Sequence, residues 1–165
     1  MPLELAREVI PTRAARAEDA RDAIELLRRS ITELCVSSHH DDAATLEAWL
    51  ANKTVERFAR WLADPSVRIV IAERDGAMRG VGSIHESGEI RLCYVLPGFQ
   101  RIGVGRSLLD WLEAQARAWR LERVFLNSSL GARAFYERAA YRPSGPPEKG
   151  FGVTIRHPYE KLLGA

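Results

Sequence analysis

The sequence predicts an α/β fold of the α+β kind, in which helices flank a mainly antiparallel sheet. Three observations predict it. Apolar residues recur at helical spacing from Ala20 to Leu34. Short β-branched segments, separated by tight turns, follow between residues 67 and 96. A glycine-bearing turn at residues 100–105 then leads into a second amphipathic helix.

The composition is that of one ordinary globular domain. The chain has 165 residues, of which 46% are hydrophobic and 28% are charged, so we expect a single domain over residues 1–165 with its own core. The formal net charge is only +2, and acidic and basic residues are interspersed. That balance predicts neither a nucleic acid nor a membrane as the partner.

The cysteines and the N-terminus indicate no metal site, disulfide framework or membrane anchor. Cys35 and Cys93 are the two cysteines, and no Cys/His spacing typical of zinc surrounds them, so we expect two buried thiols and no metal. The first residues lack the apolar run of a signal peptide. No segment reaches the ~20 apolar residues of a membrane span. We therefore expect a soluble cytoplasmic protein, either a monomer or a homodimer.

The first third of the chain is predicted to be mostly helical. A weak strand is expected within residues 9–14, and the first helix begins near Ala17, where acidic residues suit the first turn. Polar residues at 37–42 predict a loop. Thr45 is the expected cap of a second helix, and a third helical stretch covers residues 55–62.

The middle of the chain changes to strand character. Residues 67–72, 78–84 and 89–96 are three predicted strands. Turn-forming residues separate them at Asp75-Gly76 and Ser87-Gly88. An antiparallel meander is the simplest arrangement of these three strands.

The last third alternates helices and strands. The helix after the glycine turn has an apolar stripe with charged residues predicted to point outward: Leu108, Leu112, Ala116 and Trp119 form the stripe, and Glu113, Arg117 and Arg120 the outer face. A strand at residues 123–126, a helix at 132–140 and a strand near 152–155 are expected to follow.

The turn before that helix is suited to a phosphate group. Residues 100–105 read Gln-Arg-Ile-Gly-Val-Gly. A helix N-terminus offers unpaired backbone N–H groups, and glycines let the backbone approach an anion closely. A Walker loop needs lysine where Arg106 stands, and a dinucleotide fingerprint needs glycine at Leu108. ATP and NAD are therefore disfavoured, and a turn that serves only chain geometry is the remaining alternative.

These residues resemble the GNAT family of N-acetyltransferases. The turn fits the family pattern Gln/Arg-x-x-Gly-x-Gly/Ala, residues 94–97 (Tyr-Val-Leu-Pro) resemble the family's strand end, and residues 134–141 resemble its Phe-Tyr-Glu helix. The resemblance implies a mixed, mostly antiparallel and splayed sheet of six to seven strands, flanked by about four helices. It also implies direct transfer of an acetyl group from acetyl-CoA to a primary amine of a small molecule, peptide or protein.

The resemblance also implies where acetyl-CoA, the co-substrate, binds. The pantetheine arm would lie between two central parallel strands, with the pyrophosphate on the glycine turn. The implied coenzyme-binding residues are Tyr94, Val95, Leu96, Gln100, Arg101, Ile102, Gly103, Val104, Gly105, Arg106, Ser107, Asn127, Ser129 and Tyr136. Two positions depart from the family pattern, because Ser129 stands where many relatives have asparagine and Ala140 where they have glycine.

The resemblance assigns the catalytic roles to three groups. Tyr136 is the expected general acid for the leaving thiolate, and the Val95 N–H is the expected donor to the carbonyl oxygen. Glu89 matches by spacing the base of the histone-acetyltransferase branch, and even spacing predicts that it shares a strand face with Cys93. Alternative bases come from the variable half of the chain: Glu33, His39 and His40.

Two other functions stay open at this level. One is a non-catalytic module that binds acyl-CoA as a sensor or interaction domain. The other is transfer of an acyl group longer than acetyl. The stretch from Trp49 to Trp61 is expected to form one wall of the acceptor cleft, although core packing explains both tryptophans equally well.

Overall fold

The computed structural model describes residues 9–164. Residues 1–8, in which the sequence predicts no signal peptide, lie outside the described residues. Eight strands, six α-helices and a 3-10 turn are described, in the order β1 Thr12–Ala14, the 3-10 turn Ala17–Asp19, α1 Ala20–Leu34, α2 Val36–His39, α3 Ala43–Leu50, α4 Val55–Ala63, β2 Val67–Arg74, β3 Ala77–His85, β4 Ile90–Val95, α5 Val104–Ala118, β5 Arg123–Ser128, α6 Arg133–Arg138, β6 Arg142–Pro143, β7 Glu148–Lys149 and β8 Ile155–Leu162.

The strands form two antiparallel groups that meet at β4 and β5. The first group has the order β1-β2-β3-β4, and the second has the order β5-β8-β6, with β7 paired to β8. One parallel bridge between Glu89 and Phe125 joins the groups. The predicted meander of β2, β3 and β4 is confirmed, as is the mixed, splayed and mostly antiparallel fold. The strand count rises to eight because β6 and β7 are very short.

The core lies on both faces of the first sheet. Strand β2 is central, so Ile71 packs towards α1 while Val70 packs towards α5. Burial on both faces explains why this strand is almost continuously apolar. Helix α5 lies very close to β3, since a Cβ at Gly80 would fall 2.7 Å from Val104 Cγ1. This close packing fixes the N-terminus of α5 against the sheet.

Three local predictions are wrong. The expected loop at residues 37–42 contains α2, whose end at His40 turns with a positive φ of 53°. The cap of α3 is Asp42 rather than Thr45, because the Asp42 carboxylate accepts from the Thr45 N–H at 3.0 Å. The strand expected near residues 152–155 begins only at its end, as β8.

A bulge in β4 also changes which residues share a face. Ser83 pairs with Leu92 while the next residue, Ile84, pairs with Ile90, so Arg91 is an extra residue in the ladder. Ile90 therefore packs on the α5 side and Leu92 on the α1 side. Even spacing across this bulge does not place Glu89 and Cys93 on one face, so that prediction is wrong.

Candidate functional site

A gap opens between β4 and β5. The two strands start together, with the Phe125 N–H donating to Gly88 O at 3.0 Å, and then separate into different sheets. At the far end of β4, the Leu96 N–H donates to Arg79 O on β3 at 2.8 Å. Adjacent residues of a strand direct their N–H groups to opposite edges. The Val95 N–H therefore faces the gap, where it can bind an inserted extended chain.

The turn after β4 ends at the N-terminus of α5. Gly103 precedes α5 with φ of 101°, a left-handed conformation that favours glycine. The first bond of the helix runs from the Ser107 N–H to Gly103 O at 3.0 Å. The N–H groups of residues 103–106 come before that bond, so they can donate to a ligand. Together with the positive end of the helix dipole they suit a diphosphate.

Gln100 and Arg101 lie in this turn, and Arg106 lies in the first turn of α5. Arg101 has a positive φ of 65° and an exposed side chain. Arg106 is paired with Asp110 one turn further along α5, at 3.0 Å. The Gln100 side chain accepts from the Gly98 N–H at 2.7 Å and so shapes the turn. Arg101 is therefore the guanidinium of this turn that is available to a phosphate.

Tyr136 lies on α6, beside Cys93 of β4. Its ring is buried and packs edge-on against Tyr141, with ring centres 5.7 Å apart. Its hydroxyl lies beside the thiol of Cys93 on β4. Burial raises the pKa of Tyr136 well above its ordinary value, so the phenol is protonated at neutral pH. The neighbouring residue Phe135 fits against Gly105, where a Cβ would meet its ring at 3.0 Å.

Glu89 immediately precedes β4, where it forms the parallel bridge with Phe125. Its carboxylate accepts from Arg91 Nε at 2.8 Å, and the two side chains are 37% and 46% exposed. Among residues 9–164 no hydrogen bond or ion pair joins it to Tyr136. The two predicted catalytic side chains therefore have different partners: Glu89 pairs with Arg91, and Tyr136 lies beside Cys93.

The alternative bases have different surroundings. His39 is fully buried; its Nε2 lies 3.0 Å from Ile31 O, and its Nδ1 accepts from the Asp41 N–H. Both ring nitrogens are therefore occupied by the backbone, which indicates a structural role. Glu33 is paired with Arg29 on the surface of α1, and His40 is exposed at the turn after α2.

The predicted coenzyme contacts at the end of β5 differ in their exposure to solvent. Asn127 is exposed at the end of β5, opposite Pro158 of β8. Ser129 is half-buried, and its carbonyl accepts from the buried Ser128 hydroxyl at 2.7 Å. This bond engages the carbonyl of Ser129 and not its hydroxyl.

Trp49 contacts β4 directly. Its indole lies beside the hydroxyl of Tyr94, whose pKa is raised by burial. The Trp49 ring also packs edge-on against His39, with ring centres 6.3 Å apart. Trp61 instead packs against Phe58 in the α1-side core. Of the two tryptophans, Trp49 is therefore the one beside the strand that borders the gap.

A buried charge cluster around Glu113 of α5 holds the chain just after α6, and the predicted outward position of Glu113 is wrong. Glu113 was expected to point outward from α5, but its side chain is only 4% exposed. It accepts from Tyr141 OH at 3.0 Å and from Lys161 Nζ at 2.7 Å. The spacing in the sequence could have predicted this burial, because Glu113 lies four residues after Leu109 and three before Ala116, and both of those residues are buried. The cluster anchors Tyr141, against which Tyr136 packs.

We expect Glu113→Leu to destabilise the fold strongly. The change leaves the Lys161 ammonium and the Tyr141 hydroxyl without their acceptor, and breaking a buried pair in this way costs about 3 kcal/mol or more. Urea unfolding measures the loss. The double variant Glu113→Leu/Lys161→Met removes both charges and should recover most of it. A single variant as stable as the parent protein would contradict this role for the cluster.

In residues 9–164, no group of three or more His, Cys, Asp or Glu side chains is arranged to hold a metal ion. None of the helices in that range combines the length and apolar character that a membrane crossing requires.

Comparison with known proteins agrees with this geometry. The family described as "Acetyltransferase (GNAT) domain" matches residues 34–163. An uncharacterised N-acetyltransferase of Mycobacterium tuberculosis is 29% identical over 116 residues, which are 66% of this chain and 74% of that protein. A GCN5-related N-acetyltransferase of Rhodopseudomonas palustris superposes with a TM-score of 0.86 at 23% identity, over 97% of this chain and 99% of that one.

A second similar structure was solved with coenzyme A bound. It is the PaiA N-acetyltransferase of Thermoplasma acidophilum, with a TM-score of 0.73 at 18% identity, over 94% of this chain and 100% of that one. The family match extends from the end of α1 to the end of β8 and includes the gap, the glycine turn and Tyr136. The chain therefore belongs to the GNAT acetyltransferase family.

Proposed function

We propose that this protein is an N-acetyltransferase that moves an acetyl group from acetyl-CoA directly to a primary amine. The observation that carries the proposal is the glycine turn at the head of α5, which lies next to the gap between β4 and β5. The turn is suited to a diphosphate, and the gap is suited to an extended pantetheine arm. The coenzyme A bound in the Thermoplasma acidophilum relative supports the same ligand.

The fit to coenzyme A follows from donors already in place. Val95 offers a backbone N–H at the free edge of β4, and residues 103–106 offer four more at the helix N-terminus. Tyr94, Leu96, Ile102 and Ser107 are proposed to line the arm and the turn. Asn127 and Ser129 are proposed as contacts from the β5 side of the gap.

The proposed reaction needs three tasks from the chain. The amine nitrogen attacks the thioester carbonyl, and the Val95 N–H stabilises the negative oxygen that forms. The carbon–sulfur bond then breaks, and Tyr136 donates its proton to the departing thiolate. Tyr136 suits this role because burial keeps its hydroxyl protonated. The amine's proton passes to a base.

Glu89 stays the predicted base and is tested on its own. Its carboxylate would have to leave Arg91 and act through a water molecule. If it is the base, Glu89→Gln lowers kcat by about 100-fold at pH 7, and the loss shrinks as pH rises and more amine is already neutral. Arg91→Gln, which frees the carboxylate, is the matched control and should leave kcat within threefold. An unchanged pH–rate profile in Glu89→Gln would exclude this role.

The transferase is tested by release of free CoA thiol over a panel of primary amines, with the acetylated product identified by mass spectrometry. Thiol release that requires both acetyl-CoA and an amine is expected. Saturable acetyl-CoA binding without turnover of any amine would favour the non-catalytic sensor instead. Parallel reactions with propionyl-CoA and succinyl-CoA test whether a longer acyl group is accepted.

A further inference from the structure

The side chain of Arg79 on β3 is half-buried and carries a donor without a hydrogen-bond partner. Its Nε is buried and has no hydrogen-bond acceptor, and Arg79 forms no ion pair within residues 9–164. Its guanidinium carbon lies 3.9 Å from the centre of the Phe99 ring. Stacking on an aromatic ring stabilises a cation but satisfies none of its N–H donors. Buried donors in proteins are nearly always hydrogen-bonded, so an unpaired one indicates that a bound ligand supplies the acceptor.

The acidic residue on the neighbouring strand is already neutralised. Glu73 of β2 lies opposite Met78, the residue before Arg79. Its carboxylate is held by Arg13 at 2.7 Å, and Arg13 also pairs with Asp19 at 2.8 Å. The Glu73 carboxylate is therefore bonded to Arg13, and within residues 9–164 it forms no ion pair with Arg79.

Arg79 faces away from the helix terminus that suits the diphosphate. It is bonded across the ladder to Leu96, which packs on the α1 side of the sheet, and residues opposite each other in a ladder share a face. The next residue, Gly80, faces α5 and would contact Val104 there. Arg79 thus lies on the face opposite α5, beside the end of β4 that carries Val95.

We infer that Arg79, stacked on Phe99, binds an acidic group of the acceptor. The substrate class is then a small amine that carries a carboxylate or a phosphonate. A planar guanidinium binds such a group through two parallel hydrogen bonds. The bound anion would hold the amine on the α1 side, close to the carbonyl that the Val95 N–H contacts. This inference rests on the proposed transferase function.

Matched pairs of amines test the inference through kcat/KM. The pairs are glycine with glycinamide, β-alanine with its amide, and 2-aminoethylphosphonate with ethylamine. The parent protein should prefer the acidic member of at least one pair. Arg79→Gln should lower kcat/KM for that member by about 10- to 100-fold, the range for hydrogen bonds to charged groups, and leave the neutral member within threefold. Arg60→Gln, at an exposed arginine of α4, is the control and should change neither.

Two outcomes overturn the inference, provided the variants melt near the parent temperature. An equal loss for both members of a pair would give Arg79 a structural role only. A tenfold or greater rise in the Kd of acetyl-CoA in Arg79→Gln, with the pair preference kept, would assign the anion to the coenzyme. Arg79→Lys keeps the charge without the planar fork and should recover only part of the preference.

A binding measurement separates this inference from the transferase itself. In protein saturated with CoA, methylphosphonate should shift the Arg79 Nε–Hε resonance of arginine labelled with nitrogen-15, and Arg60→Gln should leave that shift intact. No shift would overturn the anion site even if amines are acetylated. A shift without turnover of any amine would support the site and contradict the transferase.

Discussion

Replacing Gly103 by glutamate is expected to abolish acetyl-CoA binding, with a rise in Kd on the order of 100-fold or more. Gly103 has φ of 101°, a conformation that costs a side-chain-bearing residue about 1–2 kcal/mol. The new carboxylate would also occupy the positive end of α5 and repel the diphosphate. Isothermal titration calorimetry with acetyl-CoA measures the change directly.

Gly98→Glu is the matched control for this variant. Gly98 also has a positive φ, of 91°, and a Cβ there would meet nothing within 4 Å. The control therefore introduces the same charge and the same backbone strain before the turn rather than within it. We expect its Kd for acetyl-CoA to stay within threefold of the parent value. Undiminished binding in Gly103→Glu would show that the turn does not hold the diphosphate.

Tyr136→Phe is expected to lower kcat by about 100-fold or more, the usual contribution of a positioned general acid. The Kd of acetyl-CoA should stay within threefold, because the ring and its packing against Tyr141 are kept. The pKa of Tyr136 is raised by burial, so its protonated form persists across the assay range. The rate of the parent protein should therefore not fall between pH 7 and 9 through loss of the acid.

Tyr159→Phe provides the comparison for the loss of a hydroxyl. The Tyr159 hydroxyl donates to Glu137 of α6 at 2.7 Å, so its removal affects the same helix without affecting the gap. Its kcat should stay within threefold of the parent value. Equal rates in Tyr136→Phe and the parent enzyme, with the best amine found, would exclude Tyr136 as the acid.

Local sequence signals predicted the centre of this fold well. The strands from Val67 to Val95 and the turns between them follow from β-branched segments broken by Asp-Gly and Ser-Gly. The glycine turn and α5 follow from spacing and helix-terminus chemistry. These features depend on neighbours in sequence, which is why the residues of the turn could be named before their geometry was known.

Two of the errors, at the β4 bulge and at Glu113, have long-range causes. The bulge at Arg91 is set by the pairing of β4 with β3, and it separates Glu89 from Cys93 in a way that counting residues cannot show. Glu113 is buried because Lys161, from the last strand, supplies the opposite charge. The surroundings of Arg79 are also set by distant residues, because Arg79 stacks on Phe99 while the nearby Glu73 is paired with Arg13.

The most direct test of the central claim, that acetyl-CoA binds where β4 and β5 separate and α5 begins, is a thermal-shift titration with acetyl-CoA, CoA, ATP and NAD in parallel. A ligand at 100 times its Kd stabilises the folded state by about 2.7 kcal/mol, which corresponds to a rise of roughly 5–10 °C for a domain of this size. We predict a saturable rise with acetyl-CoA and CoA only, and its loss in Gly103→Glu. No rise with either CoA species, or a rise with ATP or NAD instead, would contradict the claim.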